Sequence, residues 1–255
     1  RLTEGNISYV KWDMNRNMTE IGSAGFGADR QMEVPHRYIL GLYSMLEKLT
    51  SEFPNILFES CASGGGRFDP GMLYYMPQTW ASDNSDAIER LNIQYGTSLV
   101  YPIMTMGAHV SAVPNHQLRR VTSLDTRANV AIFGAFGYEL DLNTMDSYEK
   151  EVIKEQIKFY KENRSLIRTG DFYRLLSPFE SNETAWMVVS KDKTEVVIGY
   201  YQVLSKSNHG FKTLKLQGLD EEIEYFSVDS DKSFFGDELM NCGYKCGRDI
   251  LNEVG

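Results

Sequence analysis

Between residues 7 and about 168, short apolar runs alternate with longer stretches of helical spacing, and this alternation leaves few architectures open. A strand followed by a helix, repeated, brings each new strand back parallel to the last, so the pattern predicts an α/β fold built on a parallel sheet. The strand candidates are 7–12, 56–60, 78–82, a short run near 103–107, and 137–140. The helix candidates between them are 34–52, 85–100, 118–133 and 147–164. In the last of these, Ile153, Ile157 and Tyr160 recur at helical spacing and Gly170 marks the stop. After Gly170 the texture changes to strand-like runs at 186–190, 195–201, 213–216 and 223–227, with a tight turn at 191–193, which predicts a small antiparallel sheet or sandwich. The domain boundary is placed at about 170, giving 1–170 and 171–255.

Two of the predicted strands end in the same way. Asp13 closes Ile7-Ser8-Tyr9-Val10-Lys11-Trp12-Asp13, and Asp83 closes Gln78-Thr79-Trp80-Ala81-Ser82-Asp83. Strands of a parallel sheet that end together would set both carboxylates at the mouth of one pocket. Such a pair is the minimum for cleaving a glycosidic bond, one group attacking the sugar carbon and the other protonating the leaving oxygen. Asp also caps turns and helices, so its position alone leaves the structural reading open. Lys11, two residues before Asp13 on the same strand face, is placed to hold that carboxylate charged. A second carboxyl beside an ionised one resists ionisation, which suits Asp83 to proton donation. Asp86 competes for that role, but its position fits the first turn of the following helix.

Longer words narrow the reading. Tyr9-Val10-Lys11-Trp12-Asp13-Met14-Asn15-Arg16, Cys61-Ala62-Ser63-Gly64-Gly65-Gly66-Arg67-Phe68-Asp69, Trp80-Ala81-Ser82-Asp83-Asn84-Ser85-Asp86, Met106-Gly107-Ala108-His109-Val110-Ser111 and Pro114-Asn115-His116-Gln117 follow one another in that order. With these words the chain resembles the microbial α-galactosidases of glycoside hydrolase family thirty-six, over most of 1–180 and more weakly beyond. The resemblance implies a (β/α)8 barrel of which the chain carries about strands four to eight, with the Asp13 strand as the fourth, followed by a small antiparallel β-sandwich. A closed barrel of this type takes about 250 residues, so five strand candidates leave it incomplete. The opening Arg1-Leu2-Thr3, without an initiator Met, fits a piece of something longer.

The resemblance also implies roles. Asp13 is the expected nucleophile and Asp83 the acid/base of a retaining α-galactosidase, with Lys11, Trp12, Asn15, Cys61, Gly64, Gly65, Arg67 and Trp80 as substrate-binding residues. Cys61 and the glycines are expected to line the galactose subsite. Arg67 could orient a carboxylate or pack by its stem, Trp80 could be pocket wall or barrel core, and Arg16 could serve the pocket or the loop. The expected substrate is an α-galactoside oligosaccharide such as melibiose or raffinose, and the expected full-length parent is a cytoplasmic homo-oligomer. An α-N-acetylgalactosaminidase, a raffinose-synthase-like transglycosidase and a non-catalytic piece are the rival readings.

Composition excludes other classes. A net charge of −9 argues against a nucleic-acid partner. No apolar run reaches membrane-spanning length, so no membrane partner is expected. Three cysteines, Cys61, Cys242 and Cys246, are too few and too oddly placed for a disulfide framework, and the Cys242–Cys246 pair lacks a second pair to complete a zinc site. No metal or other cofactor is expected. His109 and His116 are read as hydrogen-bonding residues and Asp125 and Arg127 as a surface or interface charge set.

Overall fold

The computed structural model describes residues 2, 5–15, 19–205, 207–208 and 210–246. Arg16 therefore lies outside the described residues, as does the stretch 247–255 of the expected C-terminal domain. The chain is a mixed α/β structure that divides into two compact units, one formed by Arg1–Asp83 with Thr105–Gly107 and the other by Asn84–Met104 with Ala108–Gly255.

In the first unit β1 (Tyr9–Asp13), β2 (Leu57–Cys61) and β3 (Gln78–Thr79) form a parallel sheet in that order, with α1 (Val34–Glu52) between β1 and β2 and α2 (Pro70–Tyr75) between β2 and β3. The register pairs Lys11 with Glu59 and Asp13 with Cys61, and sets Glu59 beside Gln78. Because side chains alternate along a strand, each strand serves two faces. Val10, Trp12 and Phe58 point to one face and pack with Leu42, Leu46, Met72 and Met76 of α1, α2 and the turn after α2. Tyr9, Lys11 and Asp13 project from the other. Pro35 opens α1, where its missing N–H costs nothing. Asp69 caps α2 by accepting from the Met72 N–H at 2.8 Å.

In the second unit α3 (Ala87–Ser98), β4 (Gly107–Ser111), α4 (Leu124–Ala131), β5 (Ala135–Glu139) and α5 (Ser147–Thr169) continue the alternation, though Gly107 itself clusters with the first unit. The run expected near 103–107 is a 3-10 turn at Ile103–Thr105, and its strand begins only at Gly107. Ala108 and Val110 of β4 pack against Ala128 and Ala131 of α4, with Phe136 and Tyr138 of β5 beside them. A capping box formed by Asp146 and Glu149 starts α5.

At residue 170 the secondary structure changes from helix to strand. β6 (Asp171–Leu176), β7 (Glu183–Val189) and β8 (Val196–Gln202) form an antiparallel sheet. β9 (Lys212–Leu214) pairs antiparallel with β12 (Tyr244–Cys246), and β10 (Glu224–Ser227) with β11 (Lys232–Phe235), while α6 (Gly236–Asn241) follows β11. Ala185, Met187 and Val189 of β7 pack on Leu214, Leu216, Leu219, Tyr225 and Leu239. On its other face Trp186 meets the Phe133 ring edge-on, with centroids 5.8 Å apart. Burial on both faces explains why β7 reads as a continuous apolar run.

Candidate active site

The open face of the β1–β2–β3 sheet carries two rungs of polar side chains, and Asp13 stands on the upper one. Its Oδ2 accepts a hydrogen bond from Asn15 Nδ2 at 2.9 Å, while Asn15 Oδ1 accepts from the Ser63 N–H at 2.9 Å. Asn15 thus ties the carboxylate to the loop that follows β2. Cys61, the strand partner of Asp13, also donates its S–H to that carboxylate. Burial pushes the Cys61 thiol up, the Gly64 backbone pulls it down, and the bond to Asp13 raises it again, so the sulfur stays protonated and acts as a neutral donor. Arg67 reaches the main chain of the same segment, donating from Nη2 to the Met14 carbonyl at 2.6 Å. It therefore shapes the loop behind Asp13, and among the described residues no ion pair joins it to a carboxylate.

Asp83 is held from the same loop by a different means. Gly64 adopts φ +82°, and a Cβ there would lie 2.7 Å from Ser82 Cα and 3.1 Å from the Asp83 nitrogen. A Cβ on Gly65 would lie 2.8 Å from the Ala81 carbonyl oxygen. Only glycine lets the two main chains approach this closely. Trp80 Nε1 donates to Asp83 Oδ1 at 3.1 Å and fixes the carboxylate from below. The indole is almost wholly buried, and Lys11 Nζ lies 4.7 Å from the centroid of its ring.

On the lower rung Lys11 pairs with Glu59, at 3.8 Å from Nζ to Oε1. Glu59 is 1% exposed, and its other oxygen accepts from Tyr9 Oη and, at 3.0 Å, from Gln78 Nε2. Sequence reasoning passed over Glu59, Tyr9 and Gln78. The available signal was a lone acid inside the apolar run Ile56-Leu57-Phe58-Glu59, two residues before Cys61 and so on its face.

Two expectations need correction. Trp12 is packed into the α1–α2 cluster on the opposite face of β1 from Lys11 and Asp13, because it stands at the odd step of a period-two strand. Arg127, expected in a surface or interface charge set, is buried within the chain. It is 7% exposed and donates to the Ser111 and Ser123 carbonyls at 2.6 and 3.3 Å, whereas Asp125 is exposed and accepts from Gln156 at 3.0 Å. Asp86 caps α3, accepting from the Ile88 and Glu89 N–H groups, each at 3.1 Å, and pairs with Arg120. His109 Nδ1 lies 3.4 Å from Glu139 Oε2, and His116 is exposed. Among the described residues no group of three or more His, Cys, Asp or Glu side chains could hold a metal ion, and no helix is long and apolar enough to cross a membrane.

The chain has relatives among carbohydrate-cleaving enzymes. Residues 1–170 match the Melibiase family and residues 183–250 the glycosyl hydrolase family 36 C-terminal domain, so the chain belongs to the Melibiase family. It is 59% identical over 242 residues to alpha-galactosidase AgaA of Geobacillus stearothermophilus, which covers 95% of this chain and 33% of the relative. Alpha-galactosidase 1 of Pediococcus pentosaceus is 50% identical over 243 residues, with 95% and 33% covered. The crystal structure of a variant of AgaA in complex with raffinose superimposes with a TM-score of 0.93 at 57% identity, covering 96% of this chain and 34% of that one. The chain thus spans about a third of the length of these relatives.

Proposed function

We propose that the complete protein carrying this chain is a retaining α-galactosidase acting on terminal α-linked galactose of oligosaccharides such as melibiose and raffinose. Asp13 attacks the anomeric carbon as the bond to the leaving oxygen breaks, and Asp83 gives its proton to that oxygen. The resulting β-linked galactosyl-enzyme is opened by water, whose proton returns to Asp83, and galactose leaves with the α-configuration kept. Lys11, Asn15, Cys61, Gly64, Gly65 and Trp80 surround the sugar in this reading, while Arg67 supports the loop. Several contacts suit these roles. Asn15 and Cys61 give Asp13 neutral donors that hold it without quenching its charge, and the buried indole of Trp80 orients Asp83.

One observation carries the proposal. The segment Cys61–Gly65 touches Asp13 through Cys61 and the Ser63 N–H, and meets Asp83 through the bare Cα of Gly64. A single short loop therefore serves both aspartates. The complex of an AgaA variant with raffinose supports the choice of substrate.

The same proposal extends to architecture. Residues 1–170 would supply strands four to eight of a (β/α)8 barrel and 171–255 an antiparallel sandwich, supported by the parallel β1–β2–β3 order and by the separate family matches on either side of 170. The free thiols of Cys61, Cys242 and Cys246 suit a reducing cytoplasm, and a homo-oligomeric parent follows the family resemblance.

The test is hydrolysis of an aryl α-galactoside by the complete protein, followed by NMR of the first sugar released. Release of α-galactose first is the expected result. Release of β-galactose first would overturn the retaining mechanism, and no hydrolysis would overturn the activity.

A further inference from the structure

A carboxylate sealed inside a protein is costly unless other groups hold its charge. Glu59 is such a carboxylate, and all three strands of the sheet supply a contact to it or carry it. Tyr9 of β1 and Gln78 of β3 donate to Oε2, and both are neutral. They fix its orientation without cancelling its charge, which is left to act on the Lys11 ammonium near Oε1. At 3.8 Å this is an electrostatic tether and not a hydrogen bond. The Lys11 side chain is 37% exposed, so its head is held from beneath while facing the open side of the sheet. The tether also sets the ammonium over the Trp80 ring, whose N–H orients Asp83. Gly107 leaves room for this arrangement, since a Cβ there would come within 2.9 Å of Trp80 Cε3 and 3.5 Å of Glu59 Oε1.

We infer that Glu59 is a positioning residue that acts through Lys11, anchoring its ammonium on the lower rung so that it neither swings onto Asp13 nor leaves the Trp80 face. The inference rests on the reading of Asp13 and Asp83 as the catalytic pair. Tyr9 and Gln78 orient Glu59 in turn.

A double-mutant cycle in the complete protein tests it, with kcat and KM for an aryl α-galactoside and a thermal melt for each variant. Glu59→Gln keeps the shape and removes the charge. It is expected to lower kcat/KM by up to about 10²-fold, the scale of a misplaced binding group. In a Lys11→Met background the same substitution should change kcat/KM by less than about threefold, because coupled residues do not add. Equal losses in both backgrounds would mark Glu59 as merely structural and overturn the inference, as would a loss below about threefold where Lys11 is intact. If Glu59→Gln melts out, Tyr9→Phe decides: a loss of kcat/KM that disappears with Lys11→Met supports the tether, and a loss that persists overturns it. A wild-type protein without hydrolysis would instead sink the proposed activity, so the two failures read differently.

Discussion

Asp83 and Gly64 illustrate how much of this site is decided atom by atom. In the proposed mechanism Asp83 supplies a proton to the leaving group, and that help matters most when the departing oxygen is basic. Asp83→Ala in the complete protein should therefore slow raffinose hydrolysis by orders of magnitude more than that of an aryl galactoside with an acidic phenol, in a leaving-group series of initial rates. Equal losses across the series would make Asp83 a binding residue. Gly64→Ala asks a different question. It forces a side chain into φ +82° and against the Ser82 backbone, and should cost about 1–3 kcal/mol of stability, read as a lower urea midpoint at unchanged slope. The two aspartates stood out in the sequence because each follows a Trp and closes a strand-like run before a polar loop. Glu59 was harder to read, because a lone acid inside an apolar run does not show what holds it until Tyr9, Gln78 and Lys11 are brought beside it. Trp12 was misplaced for the opposite reason: adjacency in the motif hid the fact that neighbours on a strand face opposite ways.

Among the elements, α5 and β5 share a contact that titrates. Tyr138 of β5 donates to Gln156 of α5 at 2.9 Å, and burial pushes its hydroxyl up to about 12. The folded state therefore holds a proton that the unfolded state releases near pH 10. The stabilisation is complete below pH 10 and declines as pH rises from about 10 to about 12. Tyr138→Phe should cost about 1 kcal/mol at neutral pH through the lost hydrogen bond, and should flatten the alkaline decline seen in unfolding titrations of the wild type. The start of α5 offers a second check. Asp146→Ala removes one arm of the capping box and should cost about 1 kcal/mol, measured by chemical denaturation. Helix α1 was expected at its observed bounds, and α5 was readable from the spacing of Ile153, Ile157 and Tyr160 and the stop at Gly170. β6 escaped notice because its strand starts one residue after Gly170 with no turn signal between them. α4 was expected from 118 but runs only Leu124–Ala131, since its signal, the Ser123 cap, stands well inside the predicted run.

At the scale of the molecule, β1 is the edge strand of a three-stranded parallel sheet, and Ile7, Tyr9 and Leu57 are each exposed by more than two-fifths. Apolar side chains along an uncovered strand are a pairing surface. The 255-residue chain by itself should accordingly hydrolyse an aryl α-galactoside far more slowly than the complete protein; specific activities of monodisperse samples within a few-fold of each other would refute this. The alternation of faces in β1 has a genetic consequence as well. In a saturation library scored both for protein abundance and for growth on an α-galactoside, variants at Val10 and Trp12 should deplete the protein, while variants at Lys11 and Asp13 should leave it plentiful but useless. Two phenotypes would then interleave codon by codon along one short stretch of the gene, each substitution telling which side of the strand it had landed on.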